Sequence, residues 1–88
     1  MTVSVVIPVF NERAFIEEIL FRVQASLADG EIIVVDDNST DGTRALLKEF
    51  AKKQSEGNEK VLLENGTALS LENIYFVFSR KIKVKVPP

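Results

Sequence analysis

Two stretches of the sequence decide the fold: residues 3–20, VSVVIPVFNERAFIEEIL, and residues 31–47, EIIVVDDNSTDGTRALL. Each begins with an apolar run rich in β-branched residues, which is typical of a strand buried on both faces of a sheet. A polar turn follows each run, and apolar residues at helical spacing then predict an amphipathic helix. Strand, helix, strand, helix with short connections predicts a βαβα unit with parallel strands and right-handed crossovers.

Beyond residue 52 the patterns are weaker. A short third strand is predicted at residues 61–63, and an apolar, aromatic segment follows at residues 74–78. At residues 81–86 lysine alternates with Ile or Val, which is typical of an exposed edge strand through which the chain could associate with itself or with a partner. We therefore divide the chain into a βαβα unit at residues 1–52 and a divergent tail at residues 53–88.

The composition excludes several kinds of site. The 88 residues make one domain or a piece of a larger one, and 45% of them are hydrophobic, which supports a folded core. The chain has no Cys and no His. Disulfides, thiolate or imidazole metal ligands and Ser-His or Cys-His catalysis are therefore excluded, and any metal ion must be held by oxygen atoms.

The charge is distributed unevenly. Residues 1–73 carry a net charge of −6 and residues 74–88 carry +4. An acidic body argues against nucleic-acid binding. The sequence has no apolar run near the ~18–20 residues of a membrane span and no basic start of a signal peptide. We therefore expect a cytoplasmic protein.

Polar residues at the ends of the first two strands predict a binding site. In an open α/β sheet, ligands bind at the carboxyl ends of the strands. The candidates are Pro8, Phe10, Asn11 and Glu12 after the first strand and Asp36, Asp37, Asn38 and Ser39 after the second. A carboxylate here can accept hydrogen bonds from a base edge or from ribose hydroxyls, and Phe10 offers an apolar face to a base.

A plainer interpretation of these residues is that they cap helices or form turns. Asn11, Ser39 and Asp41 are all ordinary helix caps. The pair Asp36 and Asp37 favours a ligand site. Adjacent carboxylates repel each other, and capping a helix needs only one of them, so capping does not explain the pair. The sequence lacks both G-x-G-x-x-G and the P-loop motif, which argues against a dinucleotide or P-loop site.

Together, VSVVIPVFNERAFIEEIL and EIIVVDDNSTDGTRALL resemble the opening of family 2 glycosyltransferases, which have the GT-A fold. The branch that loads sugars onto polyprenyl or dolichyl phosphates is the most similar. The resemblance implies the N-terminal βαβα half of a Rossmann-like, nucleotide-sugar-binding GT-A fold. This fold has three α/β/α layers and a mostly parallel sheet, and here it would end in a divergent C-terminal β segment.

The resemblance also implies an activity and a set of site residues. Such an enzyme transfers a sugar from a UDP- or GDP-sugar to an acceptor such as a polyprenyl phosphate, here at the cytoplasmic face of a membrane. Carried over to this chain, the residues that line the nucleotide-sugar pocket are Pro8, Phe10 (commonly Tyr in the family), Glu12, Val35 and Asp37. Asp36 is expected to steady the loop, and no catalytic residue is assigned.

One part of the family pattern is missing. The family holds Mg²⁺ or Mn²⁺ with a later Asp-x-Asp element, and this sequence has no Asp after Asp41. We therefore expect the chain to contain the nucleotide-binding half without the metal ligands or the catalytic base, and to be inactive alone. The alternative is a non-catalytic remnant or interaction module with a substituted C-terminal tail.

Overall fold

The computed structural model describes residues 3–64 and 66–79, and within them the predicted βαβα order is confirmed. The elements are β1 (Val3–Val9), α1 (Ile16–Ser26), β2 (Gly30–Asp36), α2 (Thr43–Ser55), β3 (Lys60–Leu62), β4 (Ala68–Ser70) and β5 (Ile74–Phe78). The mixed α/β content and mostly parallel pairing agree with the N-terminal half of a GT-A fold. In the described part, neither helix combines the length and the apolar character that crossing a membrane requires.

Within residues 3–64 and 66–79, the main sheet consists of three parallel strands in the order β1-β2-β5. In this register Val9, Asp36 and Phe78 lie side by side at the carboxyl end of the sheet. The loops that leave these strands therefore start from the same edge. Both crossovers move along the sheet in the same direction, and α1 and α2 pack on the same face, as the right-handed connection typical of parallel strands predicts.

The core lies between this face of the sheet and the two helices. The inward side chains of the sheet are Val5, Ile7, Val9, Ile32, Val34, Asp36, Ile74, Phe76 and Phe78. In α1, Ile16 and Leu20 lie one turn apart and are fully buried. In α2, Leu47 and Phe50 are buried in the same core. Each large apolar side chain buried in this way stabilises the fold by about 1.5–3 kcal/mol.

The opposite face of the sheet, which we call the outer face, is exposed in the described part of the chain. Its side chains are Val6, Pro8, Ile33, Val35, Tyr75 and Val77. Val6 is 59% exposed and Tyr75 is 54% exposed. The prediction that the first strand is buried on both faces is therefore wrong. The described residues form two layers, because both helices cover the same face.

Residues 61–63 were predicted as a third strand, and β3 is found there, but it does not join the main sheet. It pairs with β4 in a separate antiparallel hairpin. Val61 and Leu69 are buried against the helical side of the core. The third strand of the main sheet is β5, and the edge strand predicted at residues 81–86 lies outside the described residues.

Gly30 allows β2 to start close beside β1. Its φ is +151°, and a Cβ atom at this position would lie 2.1 Å from the carbonyl oxygen of Val3. Val3 is the register partner of Gly30, so the contact is with backbone that is itself part of the sheet. A side chain at position 30 would push the first pair of the β1-β2 ladder apart.

Candidate functional site

The loops that follow β1 and β2 are joined by three hydrogen bonds. The backbone N–H of Asn11 donates to Ser39 Oγ over 2.9 Å, and that of Thr40 donates to Asn11 Oδ1 over 2.8 Å. The N–H of Arg13 donates to Asp41 Oδ2 over 3.1 Å. The two polar clusters predicted from the sequence therefore meet at one edge of the sheet.

This pairing of loops corrects two of the predicted helix caps. Asn11 lies five residues before the start of α1 and adopts a left-handed φ of 51°. Its amide oxygen accepts from the other loop, as does the hydroxyl of Ser39, so neither residue caps a helix. Phe15 is the N-cap of α1 and makes no side-chain cap hydrogen bond. A polar residue shortly before a helix did not predict a helix cap here, because the side chain hydrogen-bonds to a second loop instead.

Asp41 does serve the start of α2, as predicted. Its Oδ1 accepts the backbone N–H of Thr43 over 3.0 Å and also the Thr43 hydroxyl. The hydroxyl bond is the main reason that the pKa of Asp41 lies below its ordinary value, with help from the backbone N–H groups of Thr43 and Arg13. Asp41 is therefore charged at neutral pH while it ties together the start of α2 and the loop after β1.

Asp36 is a buried carboxylate on the helical side of the sheet. It is 0% exposed, and its Oδ2 accepts the N–H of Ser39 over 3.3 Å and lies 3.4 Å from Arg44 Nη1. Its Oδ1 makes no hydrogen bond in the described part of the chain. The buried carboxylate and the guanidinium compensate each other's charge and hold the loop after β2.

Asp37 is exposed and lies beside the end of β5. Its N–H donates to the carbonyl of Val9 over 2.8 Å, which continues the β1-β2 pairing by one residue. Its Oδ1 lies 3.3 Å from the Ser79 hydroxyl oxygen, which is also 2.7 Å from the Asp36 carbonyl. Asp36 and Asp37 are successive residues at a strand end, so their side chains leave opposite faces of the sheet and do not form one acidic pair.

The other predicted pocket residues lie at the same end of the sheet. Pro8 and Val35 are register partners on the outer face, and both adjoin the exposed side of the strand ends. Phe10 is 58% exposed. Glu12 is half-buried in the loop after β1, where its carbonyl accepts the N–H of Ile16 over 2.8 Å. We call Pro8, Phe10, Glu12, Val35 and Asp37 the rim of the candidate site; Phe10 and Asp37 are exposed.

A separate depression lies outside this rim. It has a volume of about 680 Å³ and is lined by Arg13, Ala14, Glu17, Glu18, Asp41 and Glu64. Arg13 lies 3.7 Å from Glu17 and 3.6 Å from Glu64, so two of its acids already face a cation. The pocket residues expected from the sequence do not line it.

The residues present do not fit the Mg²⁺ or Mn²⁺ ion that the family resemblance implies. Among the described residues, no group of three or more Asp, Glu, His or Cys side chains comes close enough to hold a metal ion. Asp36 is engaged by Arg44, and Asp37 leaves the other face of the sheet. In the described part of the chain, neither Asp36 nor Asp37 therefore belongs to a group of oxygen ligands that could hold a hard cation.

Sequence reasoning missed two residues that shape this site. Arg44 contacts the loop after β2, and its Nη2 donates to the Ser79 carbonyl over 2.8 Å. An arginine in the first turn of a helix gives no sequence signal of its contact with Ser79, because Ser79 lies 35 residues further along the chain. The position of Ser79 becomes visible only when β5 is placed beside β2.

Several known proteins are similar to this chain. The glycosyltransferase TuaG of Bacillus subtilis, named for teichuronic acid biosynthesis, is 39% identical over 72 residues, which are 81% of this chain and 29% of TuaG. A dolichol-phosphate mannosyltransferase of Pyrococcus furiosus is 44% identical over 55 residues, which are 60% of this chain and 16% of that protein. An undecaprenyl-phosphate 4-deoxy-4-formamido-L-arabinose transferase of Pseudomonas aeruginosa is 40% identical over 65 residues, which are 69% of this chain and 19% of that protein.

The chain spans less than a third of the length of each of these relatives. No solved structure matches it. The model of the family described as glycosyl transferase family 2 matches residues 4–71, which include all but the first residue of β1, both helices, β2 and the β3-β4 hairpin. The matched region therefore contains both loops of the candidate site, and the chain belongs to glycosyltransferase family 2.

Proposed function

We propose that this chain is the nucleotide-binding half of a family 2 glycosyltransferase and binds the nucleotide part of a UDP- or GDP-sugar. The observation that carries the proposal is the joining of the two polar loops at the carboxyl edge of the parallel sheet. Ligands bind at this edge in open α/β sheets. The binding rim consists of Pro8, Phe10, Glu12, Val35 and Asp37.

Each residue of the rim has a chemistry that suits a nucleoside. The Asp37 carboxylate accepts hydrogen bonds from a base edge or from ribose hydroxyls, and Glu12 offers a second carboxylate across the joined loops. The exposed ring of Phe10 offers an apolar surface against which a base can pack. Pro8 and Val35 supply an apolar floor beside the strand ends.

The names of the relatives support a proposal for the acceptor of the whole enzyme. One relative is named a dolichol-phosphate mannosyltransferase and another an undecaprenyl-phosphate transferase of a modified arabinose. We propose the same class of acceptor, a polyprenyl phosphate, for the full reaction, which would take place at the cytoplasmic face of a membrane. Among the described residues, no group of three or more Asp, Glu, His or Cys side chains could hold a metal ion. We also propose that the chain alone does not transfer sugar.

Isothermal titration calorimetry with UDP and GDP tests the proposal. We expect one of the two nucleotides to bind the native chain, and Asp37→Ala to weaken that binding by about tenfold or more, since it removes a charged hydrogen-bond acceptor. Asp29→Ala is the matched control, because Asp29 is an exposed acid that precedes β2 at the opposite end of the sheet. Equal binding by the native chain and Asp37→Ala would remove Asp37 from the site, and no binding by the native chain would refute the proposal.

A second candidate function, a non-catalytic interaction module, is favoured by the exposed outer face. Parallel sheets are usually covered on both faces, and here Val6, Tyr75 and Val77 are about half exposed in the described chain. Sedimentation velocity over a range of concentrations distinguishes the two candidates. A monomer that binds UDP or GDP supports the first candidate, and a stable assembly that binds neither supports the second.

A further inference from the structure

Arg44 connects three separate parts of the candidate site. Its Nη1 lies 3.4 Å from Asp36 Oδ2 and donates to Asn38 Oδ1 over 3.2 Å. Its Nη2 donates to the Ser79 carbonyl over 2.8 Å, and the guanidinium carbon lies 5.6 Å from the centre of the Phe78 ring. The end of β2, the loop after it and the end of β5 are thus held by one planar group with several fixed N–H directions.

Asp36, Asn38 and Ser79, the three charged or hydrogen-bonded partners of Arg44, lie around Asp37. Asp36 and Asn38 are its neighbours in the chain, and the Ser79 hydroxyl is 3.3 Å from its carboxylate. Asn38 adopts a left-handed φ of 57°, a conformation in which Asn is enriched among the residues other than glycine. The hydrogen bond from Arg44 fixes the Asn38 side chain directly after Asp37.

We infer that Arg44 is a positioning residue for Asp37, fixing the carboxylate in the direction that nucleotide binding requires. The inference rests on the proposed function. Arg44 itself need not touch the nucleotide, since its guanidinium is directed at the protein and its side chain is 22% exposed. It acts by holding the backbone on both sides of Asp37 and the hydroxyl that faces it.

Arg44→Lys separates this role from charge compensation. Lysine keeps a positive charge near the buried Asp36, so the variant is expected to fold. Its single ammonium group lacks the fork that reaches Asn38 and the Ser79 carbonyl at the same time. Arg22→Lys is the matched control, because Arg22 is an exposed arginine of α1 that pairs with Glu18 away from the site.

The experiment measures the binding of UDP and GDP by calorimetry at 10 °C, with circular dichroism to verify that each variant is folded. We expect Arg44→Lys to bind about tenfold more weakly than the native chain and Arg22→Lys to bind unchanged. Native binding with an equally tight Arg44→Lys would overturn this inference alone. A native chain that binds neither nucleotide would refute the proposed function, and the inference with it.

A double-mutant cycle with Asp37→Asn tests whether Arg44 acts through Asp37, which a merely structural role would not require. If it does, Arg44→Lys weakens binding in the native background but has little further effect when Asp37 is already replaced. If the same fold-change appears in both backgrounds, Arg44 does not act through Asp37 and the inference is wrong.

Discussion

Removing the charge of Arg44 should destabilise the fold strongly. Arg44→Met keeps most of the side-chain volume but leaves Asp36, which is 0% exposed, without its cation. Breaking a buried ion pair from one side typically costs about 3–5 kcal/mol, because a charge remains in a poorly solvated place. A chain of 88 residues has a stability of roughly 4–13 kcal/mol at 0.05–0.15 kcal/mol per residue. The variant should therefore lose a large part of its free energy of unfolding.

Urea unfolding followed by circular dichroism at pH 7 measures this loss. With a slope of about 1–1.5 kcal/mol per molar urea, the midpoint should fall by roughly 2–5 M. The double variant Asp36→Asn/Arg44→Met removes both charges and should recover most of the lost stability, since replacing both partners is far less costly than removing one. A loss below about 1 kcal/mol in Arg44→Met, or a double variant no more stable than the single one, would refute the buried-pair reasoning.

Three further predictions concern stability. Gly30→Ala should cost roughly 1–3 kcal/mol in urea unfolding, because its Cβ would lie 2.1 Å from a backbone oxygen, whereas Gly57→Ala, with open space around it, should cost less. Asp41→Asn should lower the melting temperature at pH 7. The difference from the native chain should shrink as pH falls below about 4, since a carboxyl with a lowered pKa loses its stabilising effect when it is protonated; a pH-independent difference would contradict this. Val6→Thr/Val77→Thr should reduce binding of a hydrophobic dye and change the unfolding free energy by less than about 1 kcal/mol, because both side chains are about half exposed; a larger loss would show that the outer face is packed.

The local patterns of the sequence predicted the elements of the fold better than their arrangement. Apolar runs and helical stripes placed β1, α1, β2 and α2, because each pattern reflects burial within one segment. The layering depends on which strands become neighbours, and this is decided over the whole chain. Residues 3–10 read as a strand buried on both faces, yet Val6 is 59% exposed because both crossovers cover the same side.

The candidate site shows the same division between local and distant information. The position of polar residues at two strand ends followed from the order of the elements and from the geometry of parallel sheets. The contact of Asn11 with Thr40 and that of Arg44 with Ser79 did not, since these partners lie 29 and 35 residues away. The local sequence predicts that such residues serve the nearest helix, whereas in the fold they contact a neighbouring strand or loop.

The joined loops bear on how a nucleotide would bind. Because three hydrogen bonds connect the loops after β1 and β2, and Arg44 connects β2 with β5, the rim is ordered by the protein's own contacts. Binding then loses little conformational entropy in these segments, so that fewer direct contacts suffice for a given affinity. The exposed apolar floor beside the rim lowers the affinity, because a base that contacts the protein on one side alone buries less surface. We therefore expect this chain to bind nucleotides specifically but weakly, with Asp37 setting the specificity and the uncovered outer face limiting the strength.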